Sequence, residues 1–257
     1  MFRTELGTEG LAGYALEKCL ANSMRLRDGL RDIEIRRERE CPMWPAPIAA
    51  GLDECIDLLE PLARSGAARR VVGVAGFPGA GKTTLTAAII EGINSRLGGS
   101  RSAHVPMDGF HFTNARLQEL DLVDIKGDIT TFDCRAFGET LSRLVKDAHE
   151  TQRVPSYDRG AHDVIDGSIT VLSDVRLIVT EGIYVGLSEG AWDRIGSRLD
   201  RLIYLDVAPR TCLERVVHRN RSSAHTLEFL ERKLNNDLRF MGRTLSIARK
   251  ADLIVRM

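Results

Sequence analysis

The residues from Gly76 to Thr83 carry the most specific chemical pattern in the chain, G-x-x-x-x-G-K-[ST]. An apolar run, Val71 to Ala75, precedes the pattern, and a stretch typical of a helix follows it. This order of buried strand, glycine loop and helix is the context in which the motif binds nucleotide phosphates. The alternative is a chance glycine turn before a helix, but such a turn would not need every fixed position of the motif together with the expected strand and helix. We therefore predict a nucleotide phosphate site here.

The chemistry of this loop follows from its residue types. Glycines let the backbone turn tightly and bring its N–H groups to phosphate oxygens, and the helix that begins near Lys82 adds its positive end. Lys82 can reach the β- and γ-phosphates, while the Thr83 hydroxyl can ligate the magnesium that bridges them. We predict ATP and Mg²⁺ as cofactors, bound by Gly76, Gly79, Ala80, Gly81, Lys82, Thr83 and Thr84.

Two carboxylates follow short apolar stretches that we interpret as strands. His104 to Met107 leads to Asp108, where a carboxylate can face the γ-phosphate and accept a proton from an acceptor hydroxyl. A helix cap or a magnesium ligand is the alternative for Asp108, and Gly109 beside it would permit close substrate approach. Glu181 ends the apolar strand Leu177 to Thr180 and is a candidate magnesium ligand.

Several cationic and polar side chains are candidates for the rest of the site. Arg215, Arg219 and Arg221 lie on a predicted helix and the turn after it, where a lid could bring guanidinium groups onto the phosphates. We take Lys82, Asp108, Arg215 and Arg219 as the catalytic set. His111 and His162 lie in polar loops and are candidate acceptor contacts, whereas His104 is interpreted as structural or exposed.

Buried strands that alternate with helices position these residues. The pattern predicts a doubly wound α/β fold of P-loop NTPase type, with a mainly parallel five-stranded sheet and the site at the strand C-termini. An amphipathic helix is predicted from Ile48, another is entered at Asp133, and Asp166-Gly167 between short apolar runs indicates a hairpin-like excursion.

The chain divides into two predicted parts. Residues 1–47 form a helical N-terminal extension whose mixed charges indicate a solvated face, followed by a proline-rich linker that Trp44 could anchor. Residues 48–257 form the kinase-like domain, with an acceptor-binding insertion at about 152–172 and a lid at about 210–225. The sequence does not explain the role of residues 1–47.

Composition limits the classes of partner. Lys plus Arg equals Asp plus Glu at 36 each, so no overall basic field favours nucleic acid. The five cysteines are scattered and never in C-x-x-C spacing, which fits a reducing cytosol. No stretch approaches the ~18 apolar residues of a membrane span, and the first residues lack signal-peptide features. We expect a cytoplasmic protein with a small-molecule partner and neither nucleic acid nor membrane.

At this point the sequence resembles the P-loop small-molecule kinases that include uridine kinases, phosphoribulokinases and bacterial pantothenate kinases. The resemblance covers roughly Val71 to Val255, with D-x-F matched by Asp108-Gly109-Phe110 and E-G by Glu181-Gly182. The family's lid arginines match the Arg215 to Arg221 region in position. The resemblance implies phosphoryl transfer from ATP, and a homodimer is one state that it leaves open.

Pro155 to His162 resembles the P-x-Y-D-x-x-x-H stretch by which uridine kinases bind their nucleoside, so Tyr157, Arg159 and His162 become acceptor candidates with His111. Uridine kinases have an aromatic residue in place of Arg159 and an arginine in place of Val164. Pantothenate kinases differ at Arg159 and His162. The pattern is most similar to a branch labelled nucleoside/nucleotide kinase-like or fructose-transport kinase-like.

These observations predict an ATP- and magnesium-dependent kinase that phosphorylates a hydroxyl of a small polar metabolite, with a sugar or nucleoside ahead of pantothenate. A regulatory or assembly NTPase that drives a protein partner is the competing hypothesis, and it would not need the 155–162 stretch beside Asp108. An inactive nucleotide-binding module is disfavoured by the joint presence of Lys82, Thr83, Asp108 and Glu181.

Overall fold

A computed structural model of the chain describes residues 8–41, 48–49, 51–64, 66, 68–221 and 226–257. The predicted linker and Trp44 lie outside these ranges. The helices are α1 Thr8–Asn22, α2 Met24–Glu40, α3 Leu52–Arg64, α4 Lys82–Leu97, α5 Asn114–Glu119, α6 Cys134–Lys146, α7 Asp193–Gly196, α8 Pro209–Arg221 and α9 Leu227–Thr244. The strands are β1 Ile48–Ala49, β2 Arg70–Gly76, β3 Ser102–His104, β4 Gln152–Asp158, β5 Asp163–Val171, β6 Leu177–Glu181, β7 Arg201–Asp206 and β8 Leu253–Arg256.

The main sheet has the order β1-β8-β7-β2-β6-β3, with every neighbouring pair parallel. Its five principal strands, β2, β3, β6, β7 and β8, confirm the predicted doubly wound architecture. The two-residue β1 adds an edge strand where the sequence analysis expected a helix, because Ile48 and Ala49 pair with β8 and the helix begins only at Leu52. The carboxyl ends of all these strands therefore meet at one edge of the sheet.

The central strand β2 is buried on both faces, as its uninterrupted apolar sequence requires. Val72 and Val74 join the core beneath α1–α4, α8 and α9. Val71 and Ala75 face the opposite core, which is rich in aromatic residues and includes α6 and α7. Helices on both faces thus fix the strand that leads into the glycine loop.

The hairpin of β4 and β5 lies outside the main sheet and confirms the predicted excursion, but its turn is not at Asp166-Gly167. The strands reverse at residues 159–162, where the Asp158 carboxylate accepts hydrogen bonds from the backbone N–H groups of Gly160 (2.6 Å) and Ala161 (3.1 Å). Gly167 has φ 57° within β5. The true turn therefore carries Arg159 and His162.

The N-terminal helices pack against the α/β core rather than presenting only a solvated face. Leu26, Leu30 and Ile33 of α2 are buried in the same core as β2. Arg37 of α2 donates two hydrogen bonds, of 2.7 and 2.9 Å, to the carboxylate of Asp206 at the end of β7. Asp206 is 1% exposed and also accepts from Arg256 Nε at 3.0 Å. This ion pair joins α2 to the sheet.

We expect Arg37→Ala to lower the free energy of unfolding by about 1 to 3 kcal/mol, because a buried carboxylate loses one of its two cationic partners. Urea titration followed by circular dichroism measures the change. Arg39→Ala, at an exposed position of the same helix, is the matched control and should change stability little. Equal effects of the two substitutions would contradict a structural role for the Arg37–Asp206 pair.

Candidate active site

The glycine loop between β2 and α4 is held close to its neighbours by backbone contact. Gly79 has φ 80°, and a Cβ there would lie 2.3 Å from the Cys212 carbonyl oxygen of α8. A Cβ on Gly76 would lie 2.7 Å from the Leu205 carbonyl oxygen of β7. Side chains would therefore displace the loop from α8 and β7, a requirement additional to phosphate access.

Lys82, the first residue of α4, is buried with its ammonium inside the loop. Its side chain is 8% exposed, and Nζ donates to the Phe77 carbonyl oxygen at 3.0 Å. Burial lowers the pKa of Lys82, against the opposing attraction of Glu181 and Asp108. The ammonium is thus a poorly solvated charge directed into a loop of backbone N–H groups, an arrangement that suits an anionic ligand.

Glu181, the last residue of β6, lies beside the loop. Its Oε1 accepts a hydrogen bond from the Thr83 hydroxyl at 2.9 Å, and the His104 Nε2 atom lies 3.7 Å from the same oxygen. Burial raises the pKa of Glu181, but His104, Lys82 and Thr83 outweigh it and hold the pKa below its ordinary value. The site therefore offers an ionised carboxylate and a hydroxyl side by side, the hard oxygen ligands that magnesium prefers.

Asp108 follows β3 but lies in a short 3₁₀ helix, Met107–Phe110, whereas the sequence analysis placed Met107 in the strand. Its Oδ2 atom lies 3.6 Å from the Arg159 guanidinium of the hairpin turn. Gly109 also packs against the hairpin. A Cβ at this position would lie 2.6 Å from the Pro155 carbonyl oxygen, so a side chain here would displace the hairpin backbone.

His111 and Tyr157 extend the site away from Asp108. The Asp108 carbonyl oxygen lies 2.9 Å from His111 Nδ1, and since a carbonyl only accepts, Nδ1 carries the proton. The His111 ring centroid lies 3.8 Å from that of Phe132 and 5.1 Å from that of Tyr157. Burial lowers the pKa of His111, and burial with the nearby Asp108 charge raises the pKa of Tyr157 to about 12. Both side chains are therefore neutral at pH 7.

The predicted lid arginines lie on α8. The Arg215 guanidinium donates to the Ala80 carbonyl oxygen of the glycine loop at 3.1 Å. Arg219 is directed toward the region between the loop and the hairpin, and burial, followed by repulsion from Arg159, lowers its pKa. The helix continues through Arg221, where the sequence analysis expected a turn.

A single cleft of about 1120 Å³ brings most of the predicted residues together. Gly76 ends β2, and Ala80 is buried within the loop. The other predicted residues line the cleft: Gly79, Gly81, Lys82, Thr83, Thr84, Asp108, His111, Tyr157, Arg159, His162, Glu181, Arg215 and Arg219.

The cleft also has a wall that the sequence analysis missed. Its polar members come from the loop after Asp108 and from α9: Asn114, Asp124, Lys126, Arg232, Lys233, Asn236 and Asp237. Lys233 and Asp237 are four residues apart, which also suits a solvent-exposed ion pair, so their spacing does not distinguish a cleft from the surface. Only the order of the chain gave a signal, because the 114–126 segment, which begins with α5, follows soon after Asp108.

The described part of the chain has neither a membrane-spanning helix nor a cluster of metal-ligand side chains. None of its helices has the length and apolar character needed to cross a membrane. Within the same residues, no three His, Cys, Asp or Glu side chains come together as metal ligands would.

A glycine loop after the central strand, a buried lysine within it and a carboxylate at the end of the neighbouring strand define a nucleotide-binding protein of P-loop NTPase type. Residues 71–238 match the model of the Phosphoribulokinase / Uridine kinase family, and the chain belongs to that family. It is therefore an ATP-dependent phosphotransferase that acts on an alcohol group of a small molecule.

Individual relatives span most of the chain. A Schizosaccharomyces pombe protein named provisionally as a uridine kinase is 32% identical over 66% of this chain and 75% of its own. The uncharacterized protein YggC of Escherichia coli is 30% identical over 74% of this chain and 78% of its own. A solved structure from Silicibacter sp. TM1040, provisionally named as a fructose transport system kinase, has a TM-score of 0.69 at 27% identity and covers 80% of this chain and 99% of its own.

Proposed function

We propose that this protein is an ATP- and Mg²⁺-dependent kinase that phosphorylates a hydroxyl of a small polar metabolite, with a sugar or nucleoside ahead of pantothenate. One observation carries the proposal. The hairpin residues Tyr157, Arg159 and His162 line the same cleft as Asp108 and the glycine loop. Such a cleft has room for a phosphate donor at one end and an acceptor at the other.

The loop fits the donor. Gly79 and Gly81 line the cleft without side chains, and the buried Lys82 ammonium has only a neutral carbonyl oxygen as its hydrogen-bond partner among the described residues. Thr83 and Glu181 would hold the magnesium, which supplies counter-charge to the phosphates when bound. In the protein alone, the Thr83–Glu181 hydrogen bond keeps these two groups together.

Asp108 acts on the acceptor. Its carboxylate orients the acceptor hydroxyl and takes its proton as the hydroxyl oxygen bonds to the γ-phosphorus of ATP. The bond from that phosphorus to the β,γ-bridging oxygen breaks, and ADP leaves with this oxygen. The Arg159 guanidinium, 3.6 Å from Asp108 Oδ2, adds positive charge beside this carboxylate. His111 and Tyr157, both neutral, contact the acceptor beside Asp108. Arg215 and Arg219 supply positive charge where negative charge develops on the transferring group.

The proposal also assigns separate functions to two segments of the chain. Residues at about 152–172 bind the acceptor, and residues at about 210–225 form a lid over the phosphates; residues 222–225 of this lid lie outside the described ranges. The described part of the lid is α8, which brings Arg215 to the Ala80 carbonyl oxygen of the glycine loop.

A coupled ADP-release screen across nucleosides, ketoses, polyols, their phosphates and acids, and pantothenate tests the proposal. We expect ADP release that depends on an acceptor and on Mg²⁺, with a phosphorylated product identified by mass spectrometry. ADP release that ignores every small acceptor and requires a protein partner would instead identify a partner-coupled NTPase.

A further inference from the structure

The cleft wall opposite the phosphate loop contains an ammonium group whose hydrogen-bond partners are neutral. Lys126 Nζ donates to Asn114 Oδ1 at 2.6 Å and to the His162 carbonyl oxygen at 2.5 Å. Among the described residues, no carboxylate oxygen lies within 4.0 Å of this nitrogen. An ammonium has three donors, so one remains for a ligand. Burial lowers the pKa of Lys126, against the attraction of the more distant Asp163.

Lys126 lies within reach of an acceptor bound at Asp108. Its Nζ atom is 5.2 Å from the centroid of the Tyr157 ring, and that ring is 5.1 Å from the ring of His111. His111 in turn is hydrogen-bonded to the Asp108 backbone. The two aromatic rings therefore separate the candidate base from the ammonium, and all four residues line the cleft.

A second group on the same wall is incompletely bonded. Asp237 of α9 is 1% exposed, and its Oδ1 atom accepts from Lys233 Nζ at 2.5 Å. Its Oδ2 atom is buried and has no hydrogen-bond partner among the described residues. A buried carboxylate oxygen without a donor costs free energy, and Asp237 lines the cleft. A ligand hydroxyl would supply the missing donor.

We infer that the acceptor of the kinase reaction proposed above is a hydroxylated metabolite that carries an anionic group, a phosphate monoester or a carboxylate, bound by Lys126, with one of its other hydroxyls bound by Asp237. This inference depends on the proposed function and narrows it. With a neutral nucleoside or free sugar, the hydrogen-bond partners of the Lys126 ammonium among the described residues would all remain neutral. An anion there forms a charge-assisted hydrogen bond, which is about twice as strong as a neutral one.

Anion binding can be measured without knowing the acceptor. The full chain is saturated with Mg²⁺ and a non-hydrolysable ATP analogue, so that the phosphate loop is filled, and inorganic phosphate or acetate is titrated by calorimetry. We expect saturable binding of at least one of the two anions, weakened about tenfold or more in Lys126→Gln. The anion that binds with the higher affinity shows whether the acceptor carries a phosphate or a carboxylate.

Lys146→Gln, at an exposed position of α6, is the matched control and should bind anions like the wild type. Thermal unfolding of both variants shows whether either substitution disturbs the fold. Binding that is absent from the wild type, or equal in Lys126→Gln and the wild type, overturns the inference.

The acceptor screen provides an independent test with matched pairs, each neutral sugar or nucleoside beside its phosphate and its acid. We expect the anionic member to have the higher kcat/KM, and Lys126→Gln to reduce it about tenfold or more, chiefly through KM. Asp237→Asn should also lower kcat/KM for the same acceptor. Equal kcat/KM for neutral and anionic members overturns the inference while leaving the proposed kinase intact.

The two proposals fail in different measurements. If no acceptor is phosphorylated but anion binding requires Lys126, the proposed function fails and the anion site stands. If Asp108→Asn abolishes phosphorylation of neutral acceptors that Lys126→Gln leaves unchanged, the function stands and the anionic acceptor is excluded.

Discussion

Asp108→Asn should lower acceptor-dependent turnover by about 10²- to 10⁴-fold, the contribution of a general base, and leave ATP affinity nearly unchanged. The amide keeps the shape of the side chain but cannot accept the proton of the acceptor hydroxyl. Its ion pair with the half-exposed Arg159 contributes little to stability, so the fold should be retained. Initial rates with the best acceptor and calorimetric titration with ATP measure the two quantities.

Asp174→Asn, at an exposed position before β6, provides the same chemical change outside the cleft and should leave turnover unchanged. Unchanged acceptor-dependent turnover in Asp108→Asn would exclude Asp108 as the base. A parallel loss of ATP affinity would instead indicate that Asp108 serves the donor end of the cleft, as a magnesium ligand would.

Lys82→Met should lower kcat/KM for ATP by about 10²- to 10³-fold, because the phosphates lose a preorganised cationic donor in a site shielded from water. The same substitution should not lower the stability of the free protein and could raise it. Burial lowers the pKa of Lys82, so the folded state at pH 7 bears the cost of a poorly solvated charge that methionine does not carry. We expect the thermal midpoint of the free variant to equal or exceed that of the wild type.

The ligand-dependent shift in thermal midpoint makes this test specific. ATP with Mg²⁺ should raise the midpoint of the wild type and raise that of Lys82→Met much less, since stabilisation by a ligand follows its affinity. Lys146→Met, on the exposed face of α6, should behave like the wild type. An ATP-induced shift of full size in Lys82→Met would show that the lysine is not a phosphate contact.

The sequence was sufficient for the donor end of the cleft because its requirements are local. A glycine loop, a lysine and a strand lie within a short segment, so one motif specifies their relative positions. Asp108 and Glu181 could be placed because parallel strands bring their carboxyl ends to one edge. The predicted end of the strand before Asp108 was wrong, because Met107 belongs to a 3₁₀ helix and not to the strand.

The wall of the cleft formed by residues 114–126 and α9 could not be predicted because its residues meet only through tertiary packing. Lys126 and Asp237 are far apart in sequence, and α9 has the ordinary pattern of an amphipathic helix. The same limitation applies to α2, whose dense charges suggest a solvated helix although Arg37 binds the buried Asp206. A charge pattern shows that a residue is polar but does not show which distant partner it meets.

The hairpin position also needed the three-dimensional structure. Asp166-Gly167 has the composition of a tight turn, yet the reversal occurs where the Asp158 carboxylate binds the backbone N–H groups of Gly160 and Ala161. These hydrogen bonds from the Asp158 side chain stabilise the turn, and the turn brings Arg159 close to Asp108.

The contact between Gly109 and the Pro155 carbonyl oxygen bears on how such an enzyme can change its substrate. It joins the segment that carries the base to the hairpin through a glycine and a backbone atom, so it does not depend on the side chains at residues 159–162. If the hairpin binds the acceptor as proposed, replacing those turn residues would alter acceptor recognition and would remove the Arg159 ion pair, but the backbone packing that positions the Asp108 segment would remain. Acceptor preference can diverge during evolution, or be redesigned, while the reaction chemistry stays in place.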